Sequence, residues 1–183
     1  AGFPRENVRL IPTDDTYRMR LDVLDAAIEE DRDAGDSPFL IVGSAGTTNT
    51  GAVDDLDGLA DRADRHDLWL HADAAYGGFF VLTDDGHELL TGLARCDSIT
   101  LDPHKGLSLP YGTGALLVRD GNALERAHAV SADYMSERNL DAGYVDFSQL
   151  GPELSRDFRG LRVWLPLRMH GINPFRTNLA EKL

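Results

Sequence analysis

The chain has 183 residues, 42% hydrophobic and 27% charged, enough for one good core or for a large piece of a bigger domain. A net charge of −13, with no basic stripe to interrupt it, excludes the electrostatics of a nucleic-acid binder. No apolar run is long enough to span a bilayer, so no membrane role is expected, and the single cysteine, Cys96, leaves no disulfide framework or cysteine metal cluster. One unpaired cysteine suits a reducing, cytoplasmic setting.

In chain order, residues 8–11 read as a short strand stopped by Pro12. Leu21, Leu24 and Ile28 recur at helical spacing and predict an amphipathic helix over about 21–31. The continuous apolar run FLIVGS, 39–44, reads as a buried parallel strand. Leu56, Leu59, Ala60 and Ala63 mark a second helix, with Asp54 or Asp55 placed to cap it. LWLHAD, 68–73, is the next strand, followed by a helical stretch near 87–93 and strands at 98–102 and 114–120. Residues 126–149 are polar and irregular, long for a connection, and read as a mobile lid or interface arm. An apolar helix over about 158–171 carries Leu161, Trp164 and Leu165 on one face, with Pro166 as a kink. The expected division is therefore 1–125 as part of a cofactor-binding large domain, 126–149 as a loop, and 150–183 as a helix leading onward. The chain reads as a fragment.

Repeated β-α-β units imply an α/β fold with a mostly parallel sheet and helices on both faces. Ligands of such sheets bind beyond the carboxyl ends of the strands, which selects the turns after Ser44, Asp73 and Asp102. The last of these, DPHKG, contains Lys105, one of two lysines against 16 arginines. Arginine stays protonated, whereas a desolvated lysine can lose its proton and attack a carbonyl, which makes Lys105 a candidate Schiff-base lysine. Alone, it reads as a surface lysine after a strand.

HADAAYGG, 71–78, sets the carboxylate of Asp73 at the end of what reads as a buried strand, followed by small residues. Alone, Asp73 is a helix cap or half of an ion pair. A buried carboxylate is costly unless it meets a cation, and the alanines and glycines leave room for something flat. Pyridoxal phosphate satisfies both: Asp73 would keep its ring nitrogen protonated, and Ala75 would pack on the ring face. Lys105 lies 32 residues on, about one helix-plus-strand repeat, so the acid and the amine can project from neighbouring strands into one cleft. The pair is far more specific than either residue.

GSAGTTNTGAVDDL, LWLHADAAYGG, CDSITLDPHKG and FRGLRVWLPLRMHG, in this order and spacing, resemble the pyridoxal-phosphate-dependent decarboxylases of the aromatic-amino-acid and glutamate decarboxylase group. The resemblance covers essentially the whole chain. It implies the type I aminotransferase-like fold, a homodimer with the site near the subunit interface, and conversion of an L-amino acid to its amine and carbon dioxide. By that likeness Lys105 bears pyridoxal 5'-phosphate, Asp73 faces the pyridine nitrogen and Ala75 the ring. His104 lies beside the attachment point to bind cofactor or handle protons. Ser44 falls where relatives often carry a threonine near the ring, and His71 is a supporting residue. Tyr134, 29 residues after Lys105, matches a catalytic tyrosine that protonates the substrate α-carbon. Asp102 stands where some relatives have an asparagine near the phosphate; a carboxylate would repel that dianion, so backbone or water would mediate its contact. Gly106 replaces a bulky residue, which would loosen the packing behind the lysine.

The rivals are another type I pyridoxal enzyme (an aminotransferase, a carbon–sulfur lyase or an aldehyde-forming variant) and a non-catalytic dimerising paralogue. A Rossmann dinucleotide binder fits the alternation but lacks G-x-G-x-x-G after a strand. The fragment alone is expected to be inactive, and the substrate's identity is not written in these residues.

Overall fold

The structure, a computed structural model, describes residues 3–128 and 145–183. Four strands, β1 Leu40–Ser44, β2 Trp69–Asp73, β3 Ser98–Leu101 and β4 Ala115–Val118, form one sheet in sequence order. β1, β2 and β3 are parallel, and β4 returns antiparallel to β3. The register aligns Ser44, Asp73 and Thr100 in one row at the carboxyl ends of the parallel strands.

Two helices account for most of the core. In α2, Leu56–His66, the residues Leu56, Leu59, Ala60 and Ala63 fall on one face by the 3.6-residue period and are buried against Ile41, Leu70 and Ala72. α1, Leu21–Asp33, adds Leu24 and Ile28 to the same cluster. Each buried leucine contributes about 2 kcal/mol, so this cluster rather than helix propensity holds α2 on the sheet. Of the two expected caps, Asp55 accepts the Gly58 N–H at 2.9 Å. Asp54 is buried instead and accepts the backbone N–H of Met19 at 2.6 Å and of Ser44 at 2.7 Å. It pins the N-terminal turn and the end of β1 together.

Four expectations change. Residues 8–11 form no strand: Val8 and Leu10 are exposed, and only an isolated Thr13–Met19 bridge forms nearby. Local apolarity there has no partner strand to pair with, and strands need one. The helix near 87–93 is two pieces, α3 Asp84–Leu89, capped by Thr83, and a 3-10 turn Thr91–Arg95. Gly92 lies so close to the start of α2 that a Cβ would come within 2.5 Å of Asp57 N, which bends the chain there. Helices on both faces are not seen among the described residues. α2 covers the face bearing Ile41 and Ala72, while Leu40, Val42 and Leu116 on the other face are exposed. Finally, the expected helix at 158–171 is α6, Leu161–His170, which runs through Pro166. It ends at Gly171 with φ 73° and is followed by α7, Asn173–Ala180. Leu161, Trp164 and Leu165 are exposed.

α4, Pro103–Gly106, is a single turn after β3, and α5, Gly121–His128, follows β4. A second cluster of Leu107, Leu109 and Leu179, with Phe79, Val163 and Phe175 against it, anchors the chain just beyond α4 to α7. Most of the expected loop at 126–149, including Tyr134, lies outside the described residues. No described helix is long and apolar enough to cross a membrane.

Candidate active site

The turns after β1, β2 and β3 are stitched into one surface by backbone bonds. Ala45 N–H donates to Asp73 O at 2.8 Å, Ala74 N–H to Thr100 O at 3.1 Å, and Asp102 N–H to Ala75 O at 3.2 Å. The first two turns touch through glycines. A Cβ on Gly46, whose φ is +94°, would lie 2.6 Å from Gly77 Cα, and one on Gly77 would lie 2.2 Å from Ala45 O. No larger residue fits either position without moving backbone. Ser44, Asp73, Ala75, Asp102, His104 and Lys105 are thereby carried on three adjoining turns, as the strand-end rule requires.

Lys105 lies in α4, and its Nζ is 2.8 Å from Asp102 Oδ2. The same carboxylate oxygen is 3.9 Å from His104 Nε2. His104 Nδ1 lies 2.8 Å from the carbonyl of Thr113, which can only accept, so Nδ1 carries the proton and Nε2 faces Asp102. Tyr111 stacks on the imidazole with ring centroids 4.9 Å apart. Behind Lys105, Gly106 does not leave the loose packing its size suggested. Phe79 fills the space, and a Cβ on Gly106 would meet Phe79 Cβ at 2.9 Å.

Asp73 departs from the expectation of a buried carboxylate. Among the described residues its strand is covered on one face only, and Asp73 points to the other, so it is exposed. One oxygen accepts the Ala75 N–H at 3.2 Å, and among the described residues no cation is bonded to it. Two positions earlier on the same face, His71 sits between two hydroxyls, 2.7 Å from Ser98 Oγ and 3.1 Å from Thr100 Oγ1. Trp69 Nε1–H completes the chain by donating to Ser98 Oγ at 2.8 Å. Partial burial pushes the His71 imidazole below its ordinary 6.5, and the charge of Asp73 opposes that shift.

Ser98, Thr100, Thr113 and Tyr111 did not stand out in the sequence. The alternation within SITL carried the signal for the first two, since residues 98 and 100 share a face once β3 is in register with β2. Open grooves beside α1 (Arg9, Ile11, Val23) and along β3 and β4 (Ile99, Leu117, Arg119) lie away from these turns. No cluster of three metal-ligating side chains occurs among the described residues.

An amine and a carboxylate with an uncommitted oxygen, on the ends of adjacent strands beside a small side chain, fit a flat aldehyde cofactor with a basic ring nitrogen. The sheet is that of an α/β protein of the type I pyridoxal class. Comparison with known proteins makes the assignment narrower. The family model of the pyridoxal-dependent decarboxylase conserved domain matches residues 3–183, and the chain belongs to that family, whose cofactor is pyridoxal phosphate. The chain is 42% identical to the aromatic-L-amino-acid decarboxylase of Bacillus atrophaeus over 177 residues, covering 96% of itself and 37% of that protein. It is 35% identical to a tyrosine decarboxylase of Oryza sativa subsp. japonica, covering 99% of itself and 35% of the relative. Among solved structures, Oryza sativa TDC with PLP and tryptamine superposes with a TM-score of 0.90 at 33% identity, over 96% of this chain and 36% of that one. Mouse CSAD in apo form gives 0.89 at 32% identity, over 98% and 37%.

Proposed function

We propose that the protein to which these residues belong decarboxylates an L-amino acid to its amine, with an aromatic amino acid as the favoured substrate class. The observation that carries this is the bond from Asp102 N–H to Ala75 O, which joins the turn bearing Asp73 to the turn bearing Lys105. The 42% identity to an aromatic-L-amino-acid decarboxylase supports the substrate class.

When bound, pyridoxal phosphate supplies a sink for the electron pair left as the carboxylate departs. The chain's own residues do the rest. Lys105 provides the amine that attaches the cofactor, and its place within the single turn of α4, just after β3, holds that amine at the strand ends. Asp73 holds a proton on the ring nitrogen through its uncommitted oxygen, and charge fixed there before reaction stabilises the transition state. Ala75 keeps one ring face close-packed, Ser44 offers a hydroxyl in the same row, and His104 Nε2 handles a proton near the attachment point. Tyr134 returns a proton to the substrate α-carbon in a closed site. The working protein is a cytoplasmic homodimer, and the 183 residues alone, about a third of their relatives' length, are inactive.

A second reading, aldehyde formation, draws on 32% identity to 3,4-dihydroxyphenylacetaldehyde synthase 2 of Drosophila simulans over 96% of this chain. One experiment separates the two. In the full protein supplied with pyridoxal phosphate and aromatic amino acids, amine and aldehyde are quantified for the parent, Lys105→Ala and Tyr134→Phe. The decarboxylase reading requires amine from the parent, loss of both cofactor attachment and product in Lys105→Ala, and amine output reduced at least about 100-fold in Tyr134→Phe. Unchanged amine output from Tyr134→Phe removes the tyrosine's role, and cofactor still attached to Lys105→Ala removes the reading itself.

A further inference from the structure

We infer that Asp102 is a positioning residue: it holds the Lys105 amine in an ion pair in the cofactor-free protein and so governs how fast that amine meets an aldehyde. The inference rests on Lys105 being the cofactor-bearing lysine.

The pair is built rather than incidental. Asp102 Oδ2 and Lys105 Nζ are 2.8 Å apart, with the carboxylate 17% and the lysine side chain 38% exposed. Asp102 is held by its backbone on both sides, donating its N–H to Ala75 O at 3.2 Å and accepting the Lys105 N–H at 2.8 Å. Oδ1 faces Gly114, whose missing side chain would otherwise touch the carboxylate at 3.4 Å. Phe79 packs behind Gly106 and limits the backbone of α4. The chain's other lysine is its natural reference. Among the described residues, Lys182 Nζ meets Ser108 Oγ at 3.5 Å and no carboxylate.

An ammonium has no lone pair, so Lys105 must leave Asp102 and release a proton before its nitrogen can add to a carbonyl carbon. After addition the nitrogen passes one proton to the oxygen, that hydroxyl takes back the proton first released, the C–O bond breaks with loss of water, and a protonated imine remains. Asp102 acts only on the first of these steps. A carboxylate at this position, unlike a neutral side chain, therefore slows attachment and keeps the amine from unintended carbonyls until the cofactor displaces the pair.

The test uses the full protein prepared free of cofactor. Formaldehyde with cyanoborohydride at neutral pH methylates exposed amines, and peptide mass spectrometry reads the rates at Lys105 and Lys182 in the same molecules. Asp102→Asn should raise the Lys105 rate about threefold to tenfold, the range of a partly exposed ion pair, and leave Lys182 unchanged. In the parent protein, molar sodium chloride should raise the Lys105 to Lys182 ratio about threefold, because salt screens the pair. An unchanged or slower Lys105 in Asp102→Asn overturns the inference. Should that variant disturb the fold, shown by a faster Lys182, the salt series in the parent decides, and a ratio indifferent to salt overturns it. The two readings fail separately: a Lys105 that Asp102→Asn sets free but that never takes up pyridoxal phosphate sinks the proposed function and leaves this inference standing.

Discussion

Replacing Gly77 with alanine tests whether the site depends on backbone-to-backbone contact between the first two strand-end turns. Gly77 has φ −83° and ψ −19°, a conformation alanine adopts freely, so the cost is steric alone. The new Cβ would sit 2.2 Å from Ala45 O and 2.6 Å from Gly46 Cα, both main-chain atoms that no rotamer change can remove. Restoring a 3.0 Å separation from the oxygen requires a retreat of 3.0 − 2.2, or roughly 0.8 Å, by a turn that Asp54 and the Ala45–Asp73 bond hold in place. Overpacking of this kind costs about 3 kcal/mol, which for a unit of this size lowers Tm by roughly 6 °C or more. Gly51→Ala is the matched control: its φ is +69°, but no atom lies within 4 Å of the new Cβ. Only left-handed backbone strain of about 1 kcal/mol applies there. Thermal unfolding of both variants beside the parent, followed by circular dichroism, reads the difference. If Gly77→Ala loses no more than Gly51→Ala, the turns are not in the contact described.

Two further outcomes follow from buried polar groups. Asp54→Ala strands the N–H groups of Met19 and Ser44 and should cost about 3–5 kcal/mol in chemical denaturation, whereas a loss below about 1 kcal/mol would show that neither bond matters. His71 binds its proton less readily in the folded state than at its ordinary 6.5, so the unfolded chain takes up protons first as pH falls. The stability it contributes is complete above about pH 6.5 and is lost as pH drops through the lower folded value. Thermal scans between pH 7.5 and about pH 5 should therefore fall more steeply for the parent than for His71→Gln, and parallel curves would refute the assignment.

How much of this was legible from residues alone differs between neighbouring positions. Asp54 and Asp55 were equivalent as caps by local spacing, because capping depends only on a short polar side chain before a helix. Tertiary contact separated them, giving the cap to Asp55 and two distant backbone donors to Asp54. The small residue at Gly106 pointed to slack packing, since nothing local showed that Phe79, 27 positions earlier, fills the gap. Asp73 was expected to be buried because it ends a strand that read as buried, and the described helices cover that strand on one face.

The amino-acid order by itself determined the alternation of strands and helices, the α2 face, and the placing of the lone strand-end lysine and its acid on successive repeats. These are local or periodic properties, set by side-chain spacing at 2.0 and 3.6 residues and by turn chemistry. Only the tertiary structure decided the antiparallel return of β4, the Ser44–Asp73–Thr100 row, the partner of Lys105, and the exposure of one sheet face. The strand pairings and the exposed face depend on which distant segments come together, and the Asp102–Lys105 pair, though only three residues apart, on how the turn that carries both is packed, relations that side-chain spacing alone does not encode.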